Sequence, residues 1–203
     1  MSISFTTKPT ISTPFNSKIQ GTPYIPKGFV QPQGLSLLVQ INFSEIKNAP
    51  EYFPKKGILQ VWYDSKDFLL GCDFPWRSPK IEKTIEIIYH ENLQDESQRY
   101  SVVNTIEDRR SLYLPTVKKD EEVIMNFSTY NKNYNSGIDV KPFFTQNDIR
   151  EDYPNGEDLV TLLQIDSDKY VMIKDSGSMN LFITKEDLIN LNFSNVIYNW
   201  DSC

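Results

Sequence analysis

The chain repeats itself, and this internal repeat constrains its fold more than any other feature of the sequence. Three segments of the first half recur about 120 residues later, with similar residues in the same order. Ser17–Tyr24 is matched by Ser136–Phe143, Leu37–Ile41 by Thr161–Ile165, and Gly57–Trp62 by Gly177–Phe182. Self-similarity of this kind indicates that each copy forms a structural unit and that the copies pack together. We therefore expect two tandem β-rich repeats related by a pseudo-twofold axis.

The residues within the repeats favour strands over long helices. Aromatic residues make up 13% of the chain, and their side chains suit pleated, half-buried surfaces. Twelve prolines oppose long helices, because proline fixes φ and lacks a backbone N–H. The fold class is therefore predicted to be mainly β to α+β, with a few short helices. A chain of 203 residues suits a single compact domain, 1–203, built from repeats at approximately 15–130 and 131–203.

Apolar patterns within these boundaries predict individual elements. The clearest strands are predicted at Leu35–Phe43, Ile58–Asp64, Ile81–Tyr89, Leu159–Asp166 and Met179–Thr184. Two further strands are predicted at Ile3–Thr7, as a short edge strand closed by Pro9, and at Glu122–Tyr130. Thr184 is predicted to cap a short helix, Lys185–Leu191, because Asp187 stands at the third helical position.

The charge balance limits the classes of partner. The formal net charge is −6, which opposes nucleic-acid binding, since a phosphate-binding surface needs clustered Lys and Arg. An acidic surface would instead attract a basic protein partner, although the same charge also serves solubility alone. No apolar run approaches the roughly 20 residues needed to span a bilayer, so no membrane association is expected. The oligomeric state is left open.

Two cysteines, Cys72 and Cys203, bear on the cellular location. A disulfide framework needs more cysteines at closer spacing, so both are expected to be reduced thiols in a cytoplasmic protein. The N-terminus has neither a basic segment nor an apolar segment of the kind found in signal peptides.

Recognised catalytic motifs are absent from the sequence. It contains no nucleophile elbow, Walker loop, H-E-x-x-H or paired C-x-x-C, so no catalytic residue, no metal ligand and no cofactor is predicted. The densest acidic cluster is formed by Asp166, Asp168 and Asp175. Three such carboxylates facing one pocket can bind a hard cation, but Asp also dominates turns, where it accepts hydrogen bonds from nearby backbone N–H groups. The turn interpretation is favoured.

Polar residues also occupy equivalent positions inside apolar strands of the two repeats. Gln40 corresponds to Gln164, and Gln60 corresponds to Asn180. A buried amide must be hydrogen-bonded, because leaving it unpaired costs about 1–3 kcal/mol. Each pair therefore either ties the halves together through a symmetric hydrogen bond, which is the favoured interpretation, or lines a central binding pocket.

Several of these segments resemble the YwqG-like family, a bacterial family of unknown function. The resemblance is carried by Ser17–Tyr24, Leu38–Phe43, Phe53–Gln60, Asp175–Gly177, Asn180–Ile183, Glu186–Leu188, Phe193–Ser194 and Tyr198–Asp201. It extends over nearly all of the chain from about Phe15. Two departures are Gln20-Gly21, where the family commonly has Gly-Gly, and Ile173-Lys174-Asp175, where it has Trp-Gly-Asp. The resemblance implies a mainly β or α+β fold with an internal duplication, and it implies no reaction.

Two hypotheses about function follow. The first is a non-catalytic binding or interaction protein, in one version an immunity-like inhibitor of a basic toxin, because some proteins of the family it resembles are thought to be encoded near toxin genes. The second is a small-molecule or metal-dependent enzyme with a polar site between the repeats. Under either hypothesis, the candidate binding residues are Gln40, Gln60, Gln164, Asp166, Asp168, Asp175 and Asn180.

Overall fold

The computed structural model describes residues 2–67, 85–95, 112–113, 118, 120–133 and 135–202. Within these residues the strands are β1 Ile3–Thr10, β2 Lys18–Ile19, β3 Ser36–Asn42, β4 Ile58–Tyr63, β5 Ile85–His90, β6 Leu112–Tyr113, β7 Glu122–Thr129, β8 Gly137–Ile138, β9 Leu159–Asp166, β10 Met172–Ile173, β11 Ser178–Thr184 and β12 Ile197–Asp201. The one α-helix of the described residues, α1, is Lys185–Ile189. Short 3-10 helices occur at Phe43–Glu45, Ile149–Asp152, Gly156–Asp158 and Phe193–Asn195.

Ten of the strands form one antiparallel sheet that curls into a half-barrel. Its order is β12-β11-β9-β8-β1-β7-β2-β3-β4-β5, and β6 and β10 form a separate two-stranded ribbon. The prediction of a mainly β protein is confirmed. Short helices only cap and connect strands, as the many prolines lead one to expect.

The centre of the sheet is the long pairing of β1 with β7. The ladder runs from Ile3 opposite Thr129 to Thr10 opposite Glu122. Outside it, β8 joins β1, and β2 joins β7. The order therefore places the strands β2 to β5 on one side of the central pair and the strands β8, β9, β11 and β12 on the other.

The prediction of Ile3–Thr7 as a short edge strand is wrong, because β1 lies in the middle of the sheet and continues to Thr10. Pro9 is tolerated in this central strand. It lies opposite Val123 of β7, whereas the pairing of β1 with β8 involves only Ile3 and Ser4. The ladder bond that proline cannot donate is therefore not needed on the β8 side at this position.

A continuous apolar core joins the two sides of the sheet. Buried side chains of β3 and β4, such as Val39 and Val61, belong to the same cluster as Leu163 of β9 and Leu181 of β11. All six residues of β4 are buried, which is typical of a strand covered on both faces. This burial explains why β3, β4, β9 and β11 are recognisable from the sequence as nearly uninterrupted apolar runs.

A buried ion pair connects β2 to β7. The sequence pattern does not predict it. The Lys18 ammonium is fully buried and lies 2.6 Å from a carboxylate oxygen of Glu122. It also donates to the backbone carbonyls of Thr13, at 2.8 Å, and Thr22, at 2.9 Å. The second carboxylate oxygen of Glu122 accepts a hydrogen bond from the Thr22 N–H at 2.6 Å. Every charged atom of the pair is thus engaged, as a buried ion pair requires.

Some predicted features lie outside the described residues. These are Cys72, Cys203 and the first four residues of the strand predicted at Ile81–Tyr89, of which the structure describes Ile85–His90 as β5. No helix among the described residues has the length and apolarity to cross a bilayer.

Candidate functional site

A cleft of about 670 Å³ opens between β1 and the turn that connects β9 to β10. The fold creates it because β1 lies in the central pair while β9 is separated from it only by the two-residue strand β8. The polar residues of its lining are Thr6, Thr7, Lys8, Asn133, Asn135, Ser136, Asp166, Ser167, Asp168 and Lys169. The aromatic residues Phe5 and Tyr170 complete the lining.

Asp168 connects the turn to β1 across the cleft. One carboxylate oxygen accepts a hydrogen bond from the Thr7 hydroxyl, and the other accepts from the backbone N–H groups of Tyr170, at 2.7 Å, and Val171, at 2.9 Å. The two backbone bonds are those expected of an aspartate that shapes a turn. The bond to Thr7 adds a contact across 161 residues of sequence.

Asp166, at the end of β9, is the second carboxylate of the cleft. Burial raises its pKa above the ordinary value, and a 2.9 Å hydrogen bond from the Asn135 side chain opposes that rise. The negative charges of Asp168 and Asp201 raise the pKa further. A half-buried carboxylate in this position gains free energy from a nearby cation, because the cation offsets both its desolvation and the repulsion by its neighbours.

Gln40 and Gln60, two other predicted site residues, form a buried network with the segment that precedes β3. The Gln40 side-chain oxygen accepts from the Tyr24 N–H at 2.8 Å, and its amide nitrogen donates to the Asn16 carbonyl at 2.9 Å. The Gln60 amide nitrogen donates to the Tyr24 carbonyl at 2.7 Å and to the Gln40 side-chain oxygen at 2.9 Å. These amides fix the position of Tyr24 on the sheet.

Gln164 and Asn180 hold the corresponding segment of the second half. The Gln164 side-chain oxygen accepts from the Phe143 N–H at 2.7 Å, and its amide nitrogen donates to the Asn135 carbonyl at 2.7 Å. The Asn180 amide nitrogen donates to the Phe143 carbonyl at 3.3 Å. Each glutamine therefore binds the backbone of its own half, rather than forming the hydrogen bond between halves that the sequence suggested.

Asp175, the last predicted site residue, is exposed in the turn between β10 and β11. Of the seven predicted residues, the structure brings Asp166 and Asp168 together in the cleft and separates them from Asp175. Among the residues that the structure describes, no three His, Cys, Asp or Glu side chains are grouped to hold a metal ion.

The β1 side of the cleft could not be found from the sequence. Thr7 and Lys8 are ordinary polar residues in a segment without a motif, and they reach the aspartates only through the central position of β1. Asn135 and Ser136 carried a usable signal, because Ser136 belongs to the repeated segment.

Comparison with models of known protein families gives a match to the domain of unknown function DUF1963 over residues 17–203. The chain belongs to the DUF1963 family. The match to DUF1963 includes both halves of the sequence repeat and the aspartates of the cleft, but it begins after β1. A search of curated proteins finds no significant match to the chain.

Proposed function

We propose that this DUF1963 protein is a non-catalytic binding protein whose cleft receives a cationic group, an ammonium or a guanidinium, of a basic protein partner. The observation that carries the proposal is the convergence of Asp166 and Asp168 in one cleft of about 670 Å³. A lysine or arginine side chain of a partner has the charge and the donors to satisfy both carboxylates.

The neutral groups of the cleft support this choice of ligand. Asn135 and Ser136 provide hydrogen-bonding capacity beside Asp166, and the Tyr170 ring provides an aromatic surface on which a cation can lie. Lys169 already places its ammonium 4.6 Å from the centre of that ring. The partner's cation would therefore compete with Lys169 for the aromatic face while it pairs with the aspartates.

The charge of the whole chain acts in the same direction. A net charge of −6 attracts a basic partner over distances that the cleft alone does not reach. Association should therefore be faster at low salt, since the Debye length falls from about 30 Å at 0.01 M to about 8 Å at 0.15 M ionic strength. An immunity-like inhibitor of a basic toxin is one form that this function can take, and we propose a cytoplasmic location for it.

We also propose that the chain is a duplicated member of the YwqG-like group within the wider family. Matched hydrogen bonds support the duplication. The Ser17 hydroxyl accepts from the Asn42 N–H at 2.8 Å, and the Ser136 hydroxyl accepts from the Asp166 N–H at 2.9 Å. We propose that a pseudo-twofold axis through the middle of the β1–β7 ladder relates these contacts. The strand order supports this axis, because β2 and β8 flank the ladder on opposite sides.

The direct test is a titration with two short peptides that differ only in charge. A lysine- and arginine-rich peptide is compared with the same peptide after its lysines are acetylated and its arginines are replaced by glutamine. The proposal predicts saturable binding of the basic peptide alone, weakened by salt. Asp166→Asn with Asp168→Asn should reduce the affinity at least tenfold, whereas Asp175→Asn, which removes a carboxylate outside the cleft, should change it less than twofold.

Equal effects of the Asp175 variant and the double variant would contradict the cleft as the binding site, because they would indicate attraction by net charge alone. Absence of saturable binding by the basic peptide, with the wild-type chain folded, would contradict the proposed ligand class. Affinity purification from the native host at low and moderate salt then identifies the partner, with the double variant as the control.

The enzymatic alternative has the same cleft as its candidate site, because Gln40, Gln164 and Asp175 lie elsewhere. Asp166 and Asp168 are the two titratable carboxylates that an acid–base mechanism there would use. A basic peptide that occupies this cleft would also compete with the substrate of such an enzyme.

A further inference from the structure

Among the described residues of the second half, several oxygen atoms are buried without a hydrogen-bond partner. Four of them belong to one region: the hydroxyl oxygens of Thr145 and Ser178, the side-chain carbonyl oxygen Oδ1 of Asn180 and the carboxylate oxygen Oδ1 of Asp201. Ser178 and Asn180 have 0% of their surface exposed, and Asp201 has 7%. Buried polar atoms are almost always paired in folded proteins, so four unpaired oxygens in one region require an explanation.

The sheet register places three of these residues on one face. Ser178 of β11 lies directly opposite Asp201 of β12, and Asn180 is two residues further along β11. Residues directly opposite each other, and residues two apart on a strand, point to the same side of a sheet. Asp166 of β9 lies opposite Ser178 on its other side, so the row Asp166, Ser178, Asp201 crosses three adjacent strands.

The segment from Phe143 to Gln146 covers this face and brings in the fourth oxygen. The backbone N–H groups of Thr145 and Gln146 donate to the Oδ2 atom of Asp201, at 2.9 Å and 3.1 Å. The Asn180 side chain donates to the Phe143 carbonyl at 3.3 Å. These bonds engage Oδ2 of Asp201 and the amide nitrogen of Asn180, and they leave the buried Oδ1 atoms of both side chains without a partner.

The chemistry of the four atoms is that of ligands for a hard cation. A carboxylate, an amide carbonyl and hydroxyls are oxygen donors of the kinds that Ca²⁺ accepts in flexible geometry, whereas Mg²⁺ demands a near-ideal octahedron and retains several waters. The row also contains two carboxyl groups, since Asp166 and Asp201 lie opposite Ser178 on its two sides. Two carboxylates balance one divalent ion.

The first half has a different arrangement at the matching place. There Ile58 lies opposite His90 across β4 and β5, as Ser178 lies opposite Asp201 across β11 and β12. Ile58 is buried and apolar, and the His90 ring packs edge-on against Tyr24 and Phe29, with centroids 5.4 Å and 4.9 Å apart. At this position the first half therefore has an apolar residue and a packed imidazole ring, whereas the second half has a hydroxyl and a carboxylate.

We propose that Thr145, Ser178, Asn180 and Asp201 form a calcium-binding site, with Asp166 supplying a second negative charge from the neighbouring strand. The bound ion links the loop from Phe143 to Gln146 to β11 and to the C-terminal strand β12, because its ligands come from all three. The four ligands do not line the cleft, so the calcium site shares only Asp166 with the proposed binding of a basic partner, and variants at Asp201 and Ser178 test the calcium site by itself.

The test is cation binding by the full chain after treatment with a chelator. Calcium, magnesium and sodium chlorides are titrated by calorimetry and by thermal unfolding, and Tb³⁺ luminescence is excited through the tryptophans, of which Trp200 adjoins Asp201. We expect one calcium ion per chain, a higher melting temperature with calcium, and at least tenfold weaker binding of magnesium. Asp201→Asn should weaken calcium binding at least tenfold, and Asp175→Asn should leave it unchanged.

Ser178→Ala provides a second variant that removes one ligand with a small change in volume. It should weaken calcium binding severalfold while the melting temperature in chelator remains near that of the wild type, which keeps the test valid if the Asp201 variant does not fold. The proposal is overturned if the wild type shows neither a calcium-dependent melting shift nor Tb³⁺ luminescence at millimolar cation, in which case ordered water satisfies the four oxygens. It is also overturned if magnesium or sodium binds as tightly as calcium, or if both site variants bind calcium like the wild type.

Discussion

Glu122→Gln is expected to destabilise the fold strongly, because it removes the countercharge of a fully buried lysine. The Lys18 ammonium has no exposed surface, and within the described part of the chain its only charged partner at contact distance is the Glu122 carboxylate at 2.6 Å. Its other acceptors, Ser12 and the carbonyls of Thr13 and Thr22, are neutral. The variant therefore leaves the buried lysine without a counterion, and burial, which already lowers the pKa of Lys18, opposes its charged form.

The expected loss of unfolding free energy depends on whether one partner of a buried ion pair is removed or both partners are replaced. Removing one partner of a buried ion pair costs about 3–5 kcal/mol, whereas replacing both partners with neutral residues of similar size is often nearly neutral. We therefore expect Glu122→Gln to cost about 3–5 kcal/mol, and Lys18→Met combined with Glu122→Gln to cost less than the sum of the two single variants. For a chain of this length the single variant corresponds to a loss of roughly 10 °C in melting temperature.

The dependence on pH supplies a second readout. Burial alone would raise the pKa of Glu122, but the charge and hydrogen bond of Lys18, with hydrogen bonds from Ser12 and Thr22, lower it below its ordinary value of 4.5. A carboxyl group with a lowered folded-state pKa stabilises the fold above its unfolded pKa, and this stability is lost as the pH falls through the folded value. The difference in unfolding free energy between the wild type and Glu122→Gln should therefore become smaller below about pH 4.5.

Urea unfolding at pH 7 of the wild type, both single variants and the double variant measures these free energies. The exposed pair Lys56–Glu91, at 3.1 Å, is the matched control, and Glu91→Gln should cost less than about 1 kcal/mol. The reasoning is refuted if Glu122→Gln costs no more than Glu91→Gln, or if the costs of the two single variants at Lys18 and Glu122 simply add.

Three further predictions concern the sheet and the cleft. Gln164→Leu removes the partners of the Phe143 N–H and the Asn135 carbonyl, and it should lower the unfolding free energy in urea by about 2 kcal/mol. Phe182→Ala, at a fully buried position, should lower it by about 3–5 kcal/mol, and a loss below about 1 kcal/mol would contradict the packing described. Asp166→Asn should stabilise the chain in chelator at pH 7, because burial raises the pKa of this carboxyl and its ionised form opposes folding. That gain should disappear in thermal melts at a pH below the ordinary pKa of an aspartate, where wild-type Asp166 is protonated in both states.

The elements that the sequence predicted best are those whose own residues determine them. The strand predicted at Leu159–Asp166 has those bounds in the structure, and the one predicted at Ile58–Asp64 ends one residue earlier. The Thr184 hydroxyl accepts from the Asp187 N–H at 3.1 Å, so the predicted helix cap is present. The helix ends at Ile189 rather than Leu191, because Leu191 has a positive φ of 54° that a helix cannot contain.

The features that the sequence did not predict depend on long-range pairing. The central place of β1 follows from its ladder with β7, more than a hundred residues away, and no local pattern in Ile3–Thr10 encodes that partner. The Lys18–Glu122 ion pair and the hydrogen bond from Thr7 to Asp168 also join residues more than a hundred positions apart, so the sequence pattern did not predict them. Asp166 and Asp168 were recognisable as a candidate site, but their separation from Asp175 depends on the turn between β10 and β11.

A comparison of equivalent strand positions indicates where the two halves differ in function, if they are duplicated as we propose. The glutamines Gln40 and Gln164 make the same kind of bond to the segment before their strand, so this contact serves the scaffold. The residues two positions after these glutamines are Asn42 and Asp166. Asn42 is neutral, whereas Asp166 is a carboxylate that lines the cleft. Selection for folding alone accounts for the shared glutamines but not for a half-buried carboxylate with a raised pKa, which costs stability when ionised. The second half is therefore the place where this chain retains groups that its own folding does not require, and the aspartates of the cleft and the ligands of the proposed calcium site lie there.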